Sequence, residues 1–253
     1  MGIELQKASM WKRISAWLLD IILLSIVAVG AGLLLSWLLG FNSYNDALDT
    51  GYAQYEAQYG VTFEITMEEY TSMTDEDRSH YDAAYQAMIA DPEVVRNYNM
   101  VLNLTLVIAT LGILLAYLLL EFAVPLLFGN GQTLGKKVFA IGLVRNDGVQ
   151  MNTMQLFVRT VLGKFTIGTM IPVYVLIMLY FNIVGLPGTL LLMALLLTQI
   201  IMLAFTRNRI AIHDALAGTV AVDISSQQIF RTTEELIAYT KRIHAERAAR
   251  QPY

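Results

Sequence analysis

Runs of about twenty apolar residues, the length that spans a bilayer's hydrocarbon core as a helix, occur four times in this chain of 253 residues. They cover residues 17–39, 100–120, 166–184 and 187–205. In hydrocarbon every backbone polar group must be satisfied internally, so each run has to be a helix. The sequence therefore predicts an all-α membrane protein, a four-span transmembrane helix bundle in contact with the lipid bilayer. Charged residues make up only 15% of the chain, well under the roughly 25% of soluble domains. The first run has a basic lead, but it is too long and lacks a small-x-small site, so it reads as a span and not as a cleaved leader.

The charges between the runs are sorted by sign. Lys7, Lys12 and Arg13 precede the first span. Lys136, Lys137, Arg145, Arg159 and Lys164 lie between the second and third. Arg207, Arg209, Arg231, Lys241, Arg242, Arg247 and Arg250 follow the fourth. Only Arg78 and Arg96 fall in the long first loop, against twelve Asp and Glu. Basic residues stay on the cytoplasmic side. The pattern predicts a multi-pass protein of the plasma membrane with both termini cytoplasmic and the first loop outside.

The predicted pieces are a lead and first span (1–41), an external acidic, Tyr-rich helical insert (42–99), the second span (100–121), a cytoplasmic loop (122–165), the third and fourth spans (166–206), and a basic tail (207–253). In the insert, Tyr52, Tyr55 and Tyr59 share one helical face, and Tyr81, Tyr85 and Met88 repeat the spacing. These stripes either pack helix on helix or form a face for a protein partner. Thr74 and Asp91-Pro92 are helix-start signals, and residues 61–65 read as a short strand. In the cytoplasmic loop, 138–144 and the turn at Asp147-Gly148 predict a small hairpin. Residues 154–165 follow as an interfacial amphipathic helix. The run Gly129–Lys137 lacks the Ser/Thr and the preceding strand of a phosphate loop.

With no cysteine in the chain, thiol chemistry and disulfides are excluded. No H-E-x-x-H or G-x-S-x-G occurs, and His213-Asp214 alone is too small for a zinc site. The sequence predicts no enzyme, no metal, no cofactor and no nucleic-acid partner. Ionisable groups in or beside a membrane span are costly, which makes them functional candidates. Here they are Arg13, Asp20, Glu121, Arg159, His213 and Asp214. Arg13 and Asp20 lie two helical turns apart on one face, so a direct pair is expected, with Asp214 joining it in one charged cluster. Such a cluster can serve transport, or it can be an ion-pair network that pins helix ends.

These same residues carry a resemblance. Arg13-Ile14-Ser15-Ala16-Trp17-Leu18-Leu19-Asp20, Gly131-Gln132-Thr133-Leu134-Gly135-Lys136, Arg159 and His213-Asp214-Ala215-Leu216-Ala217-Gly218-Thr219 resemble the RDD family of bacterial membrane proteins. The family is named for an arginine and an aspartate in its first span and an aspartate near its end, which fall here on Arg13, Asp20 and Asp214. The insert at 42–98 departs from the shorter members. The resemblance implies transport of ions or small solutes, with cation–proton antiport attributed to some members, and a homo-oligomer, since four spans make a small transporter. Inverted repeats would need matching broken helices; Pro172 and Pro187 have no counterpart in the first half. The competing class is a non-transporting scaffold or assembly factor whose insert and tail bind partner proteins.

Overall fold

A computed structural model describes residues 5–206 and 209–250, the side chains at 247 and 250 excepted. Arg207, the side chains of Arg247 and Arg250, and the start of the lead at 1–4 lie outside the described residues. In chain order the elements are α1 (Met10–Leu38), α2 (Phe41–Tyr59), α3 (Met67–Ser72), α4 (Asp75–Ile89), α5 (Pro92–Phe128), α6 (Leu134–Val138), β1 (Ile141–Arg145), α7 (Thr153–Tyr180), α8 (Gly185–Phe205), α9 (Ile212–Ala217), β2 (Thr219–Asp223) and α10 (Thr233–Arg250). Of these, α1, α5, α7 and α8 are long and apolar enough to cross a membrane. The surface they show is that of a bilayer protein. Ile26 and Leu33 on α1 are 65% and 69% exposed, a burden no soluble monomer carries over whole helices.

The chain forms two compact units, residues 1–28 with 113–253, and residues 29–112. In the second of these, α2 and α4 close on a small core of Leu48, Met88 and Val94, backed by Tyr52, Tyr55 and Phe63. The expected starts are built: Thr74 accepts from the Asp77 N–H at 3.1 Å and Asp91 from the Glu93 N–H at 2.8 Å. Residues 61–65 form no strand. The Phe63 N–H is taken by Glu56 at 2.7 Å, and its ring sits edge-on to Tyr52, Tyr81 and Tyr85. The tyrosine stripes are therefore largely consumed in helix packing. Tyr85 and Tyr98 keep 42% and 48% of their surface open.

In the first unit, the spans end on a small cap. Strand β1 pairs antiparallel with β2, Val144 opposite Val220 and Gly142 opposite Val222. The lead runs along the other edge of β2: the Ala8 N–H bonds Ala221 O at 3.3 Å, and the Asp223 N–H bonds Gln6 O at 2.9 Å. The predicted hairpin is thus corrected in its partner. Its turn does close, the Gly148 N–H reaching Arg145 O at 3.0 Å, with Gly148 at φ 87. The returning arm makes one bridge, Val144 with Gln150, and then turns to Phe230, whose carbonyl accepts from the Gln150 N–H at 2.8 Å. An isolated hairpin is marginal, whereas β2 brings Val220 and Val222 to bury Val144 completely. Because the lead and the segment after α8 share this cap, the start of α1 and the end of α8 lie at the same end of the spans.

The interfacial helix is corrected too. Residues 154–165 are not separate from the third span; both belong to α7, which is widened over Val158–Met170 into π-helical geometry. The Thr166 and Thr169 hydroxyls bond carbonyls five residues back, Val161 O at 2.8 Å and Lys164 O at 3.1 Å. A second widened turn, Leu118–Ala123, interrupts α5. Such segments concentrate at functional sites. The widened turns are joined where the Thr160 hydroxyl bonds the Glu121 carbonyl at 2.9 Å.

Candidate functional site: a charged cavity at one end of the spans

The first unit encloses a cavity of about 750 Å³. Arg13 and Asp20 reach it from α1, Glu121 from α5, Lys136 from α6, Arg159 and Lys164 from α7, and His213 and Asp214 from α9. All six residues singled out from the sequence therefore meet around one space.

Asp20 sits 9% exposed in the third turn of α1. The residues that hold it come from α6 and its cap. The Thr133 hydroxyl donates to Oδ2 at 2.5 Å and the Gly135 N–H to Oδ1 at 2.8 Å. Lys136 Nζ lies 3.6 Å from Oδ2. Gly135 is needed here, because a Cβ on it would strike the Ala16 carbonyl and lie 2.8 Å from Asp20 Oδ1. The expected Arg13–Asp20 pair does not form. Seven residues on one face are about 10 Å along the axis, and helical side chains lean toward the N-terminus. Arg13 accordingly reaches backward, and its Nη1 donates to the Arg209 carbonyl.

Glu121 is buried in the widened turn of α5. Its Oε1 meets Lys164 Nζ at 2.5 Å. Its Oε2 has no hydrogen-bond partner, and Lys136 Nζ stands 4.0 Å away. Asp214 is fastened most tightly: Arg159 Nε and Nη2 lie 2.9 and 2.8 Å from its Oδ1. The Thr219 hydroxyl reaches the same oxygen at 3.4 Å and the Ala211 N–H reaches Oδ2 at 3.3 Å. Burial alone would raise the Asp214 carboxyl, but Arg159, with Arg13 behind it, holds it well below the usual carboxylate range.

His213 packs against α7 at Gly163, where a Cβ would lie 2.8 Å from the His213 Cα. Its Nε2 is 3.7 Å from Asp214 Oδ1. Burial pushes the imidazole down to about 3, with Asp214 opposing and the cations Arg159 and Lys164 adding to the drop. The side chain keeps 25% of its surface open, and the ring is neutral at pH 7. Among the described residues no group of three or more His, Asp or Glu side chains is placed to hold a metal ion.

The model of the RDD family matches residues 7–218. The chain belongs to the RDD family. No curated protein and no solved structure matches it. The match spans the insert as well as all eight ionisable residues named in the cavity. Arg13, Asp20 and Asp214, the residues that the resemblance to RDD proteins picks out, all line the same space, though they are not each other's direct partners. Sequence reasoning missed Thr133, Gly135, Lys136 and Lys164 as members of the site. Thr133 and Lys136 did carry a signal: a helix cap and a lysine three residues on, beside a membrane span.

Proposed function

We propose that this RDD protein passes an ion or small charged solute across the plasma membrane through the charged cavity, with both termini in the cytoplasm and the insert outside. The observation that carries this reading is the cavity itself: costly buried charge from three spans and two short helices is gathered around an open space instead of being packed shut. Intramembrane charge mostly marks solute pathways or proton relays. The reading gives Asp20 the central part, since its partners are a hydroxyl, a backbone N–H and a lysine at 3.6 Å, and no arginine clamps it. No residue is given a catalytic role. Flux in proteoliposomes with Na⁺, K⁺ and a pH gradient tests it. The wild type should show gradient-driven flux, and Asp20→Asn should fold and abolish it. No flux from the wild type under any of the three gradients would sink the reading.

A second reading, a non-transporting scaffold, draws on the Arg159–Asp214 pair. Its groups are buried and bonded to each other, as in a network that only pins helices. In that reading the insert and the tail bind partner proteins, and Asp20→Asn lowers stability and any flux together.

The orientation has its own test, made clean by the absence of native cysteine. Thr71→Cys, on the exposed side of α3, should react with an impermeant reagent in intact cells. Gln228→Cys should react only after lysis. The reverse pattern would invert the topology.

A further inference from the structure

Four cations and three carboxylates line the cavity: Arg13, Lys136, Arg159 and Lys164 against Asp20, Glu121 and Asp214. His213 adds no charge at neutral pH. Arg159 is spent on Asp214, Lys164 on Glu121, and Lys136 stands nearest Asp20. Arg13 is the cation left over. Among the described residues no carboxylate lies within ion-pair distance of it. One of its nitrogens bonds a backbone carbonyl, and the other, Nη2, is buried with no hydrogen-bond partner. The anion acting on it electrostatically is Asp214, whose oxygens are already taken by Arg159, Thr219 and Ala211. A guanidinium cannot shed its proton to escape burial, and a desolvated charge without a counter-ion is costly. The cavity is one negative charge short, and the shortfall is at Arg13.

The rest of the wall says what kind of anion fits. Beyond the charged end it is apolar, formed by Leu24, Ile167, Leu192 and Leu196. A space of about 750 Å³ is of the size that holds a drug-sized molecule, and far larger than an inorganic ion requires. Trp17 and Leu196 line it while staying 57% and 56% exposed. The cavity thus opens onto the surface that lipid covers. A planar guanidinium fork matches phosphate oxygens.

We propose that the cavity binds the phosphate-ester headgroup of an anionic amphiphile, with the Arg13 guanidinium as the principal counter-charge and the acyl chain along the leucine-rich wall. This goes beyond the transport reading and does not need it, since the site can hold a lipid whether or not a solute passes.

The test is thermal unfolding of the purified full chain in non-ionic detergent with phosphatidylglycerol, phosphatidylcholine or inorganic phosphate. Phosphatidylglycerol should raise Tm with dose, and the other two should not. Arg13→Gln should weaken the phosphatidylglycerol response by about tenfold or more, as expected on losing a bond to a charged group, and Arg13→Lys should lose less. Ile167→Trp, which fills the apolar wall without touching a charge, should weaken it as well. Equal shifts with phosphatidylglycerol and phosphatidylcholine would overturn the proposal. So would an unchanged response in both Arg13→Gln and Ile167→Trp. A full shift from inorganic phosphate would make the ligand a free anion and overturn the amphiphile. If Arg13→Gln does not fold, native mass spectrometry of the wild type and Ile167→Trp in a mixture of the two lipids decides. Retention of one phosphatidylglycerol by the wild type alone supports the site, and equal retention of both lipids rejects it. Absent flux with intact lipid binding would reject the transport reading and leave this one standing.

Discussion

Replacing Arg159 by alanine should cost about 3–5 kcal/mol of unfolding free energy in detergent, the usual penalty for leaving one member of a buried ion pair alone. The Asp214 side chain is 5% exposed and that of Arg159 3% exposed, so bulk water cannot take over. Without Arg159, the carboxylate keeps only the Ala211 N–H and the Thr219 hydroxyl, at 3.3 and 3.4 Å. Asp214→Ala should be similarly harmful, because it strands a guanidinium. The double change Arg159→Met with Asp214→Leu should recover most of the loss, since it leaves no buried charge unpaired. Arg13→Ala and Asp20→Asn should behave differently. They share no direct contact, so their effects should add to within about 0.5 kcal/mol. A single Arg159→Ala loss below about 1 kcal/mol, the range of an exposed pair, would mean that the pair is not closed in the membrane. Additivity of the Arg159 and Asp214 changes would mean the same.

The pair was only half legible in the sequence, and the reason is geometric. Hydropathy and charge asymmetry depend on neighbouring residues, so the four spans and the candidate residues could be read directly. Partnership depends on where distant segments meet. Arg159 and Asp214 are brought together only when α9 lies on the widened part of α7. The widening itself hides a second relation. In an α-helix Arg159 and Lys164, five residues apart, point roughly 140° away from each other. In a π-helical segment, whose hydrogen bonds run over five residues, they come to one face, and Lys164 turns inward to Glu121. An α-helical reading of 154–165 puts that lysine on a solvated surface. The hairpin failed for a related reason. Asp147-Gly148 is a local signal and its turn formed, but the ladder partner of β1 is more than seventy residues away. Nothing near β1 announces Val220 and Val222.

The cap explains why the charged end of the spans needs such long-range partners. The lead, β1 and β2 hydrogen-bond to one another, and they directly adjoin α1, α6 and α9 in the chain, so the segments that carry Asp20, Lys136 and Asp214 are tied to a common frame. Lys136 joins two carboxylates, standing between Asp20 at 3.6 Å and Glu121 at 4.0 Å. Whatever occupies the cavity therefore meets an electrostatic arrangement assembled from five separate helices, and no single helix can set it alone.

The most sensitive point in that frame is Gly135. Gly135→Ala should destabilise the protein by about 3–5 kcal/mol, combining roughly 1–3 kcal/mol of overpacking with the loss of bonds to a buried charge at about 1.5–3 kcal/mol each. The added Cβ has nowhere to go: it meets the Ala16 carbonyl and stands 2.8 Å from Asp20 Oδ1 and 2.9 Å from Asp20 Cγ. The first obstacle is backbone, which cannot swing aside as a side chain would. Helix α6 must therefore lift from α1. In lifting it breaks the Gly135 N–H bond to Asp20 and draws the Thr133 hydroxyl away. Asp20 then keeps only Lys136 for company. Gly30→Ala provides the control, because a Cβ there meets nothing within 4 Å and alanine is the better helix former by roughly 0.5–1 kcal/mol. It should be neutral or stabilising. Unfolding curves for the two variants should therefore move in opposite directions or differ by several kcal/mol. Equal behaviour would show that α6 does not rest on α1 at Asp20, and the description of the cavity wall would have to be redrawn.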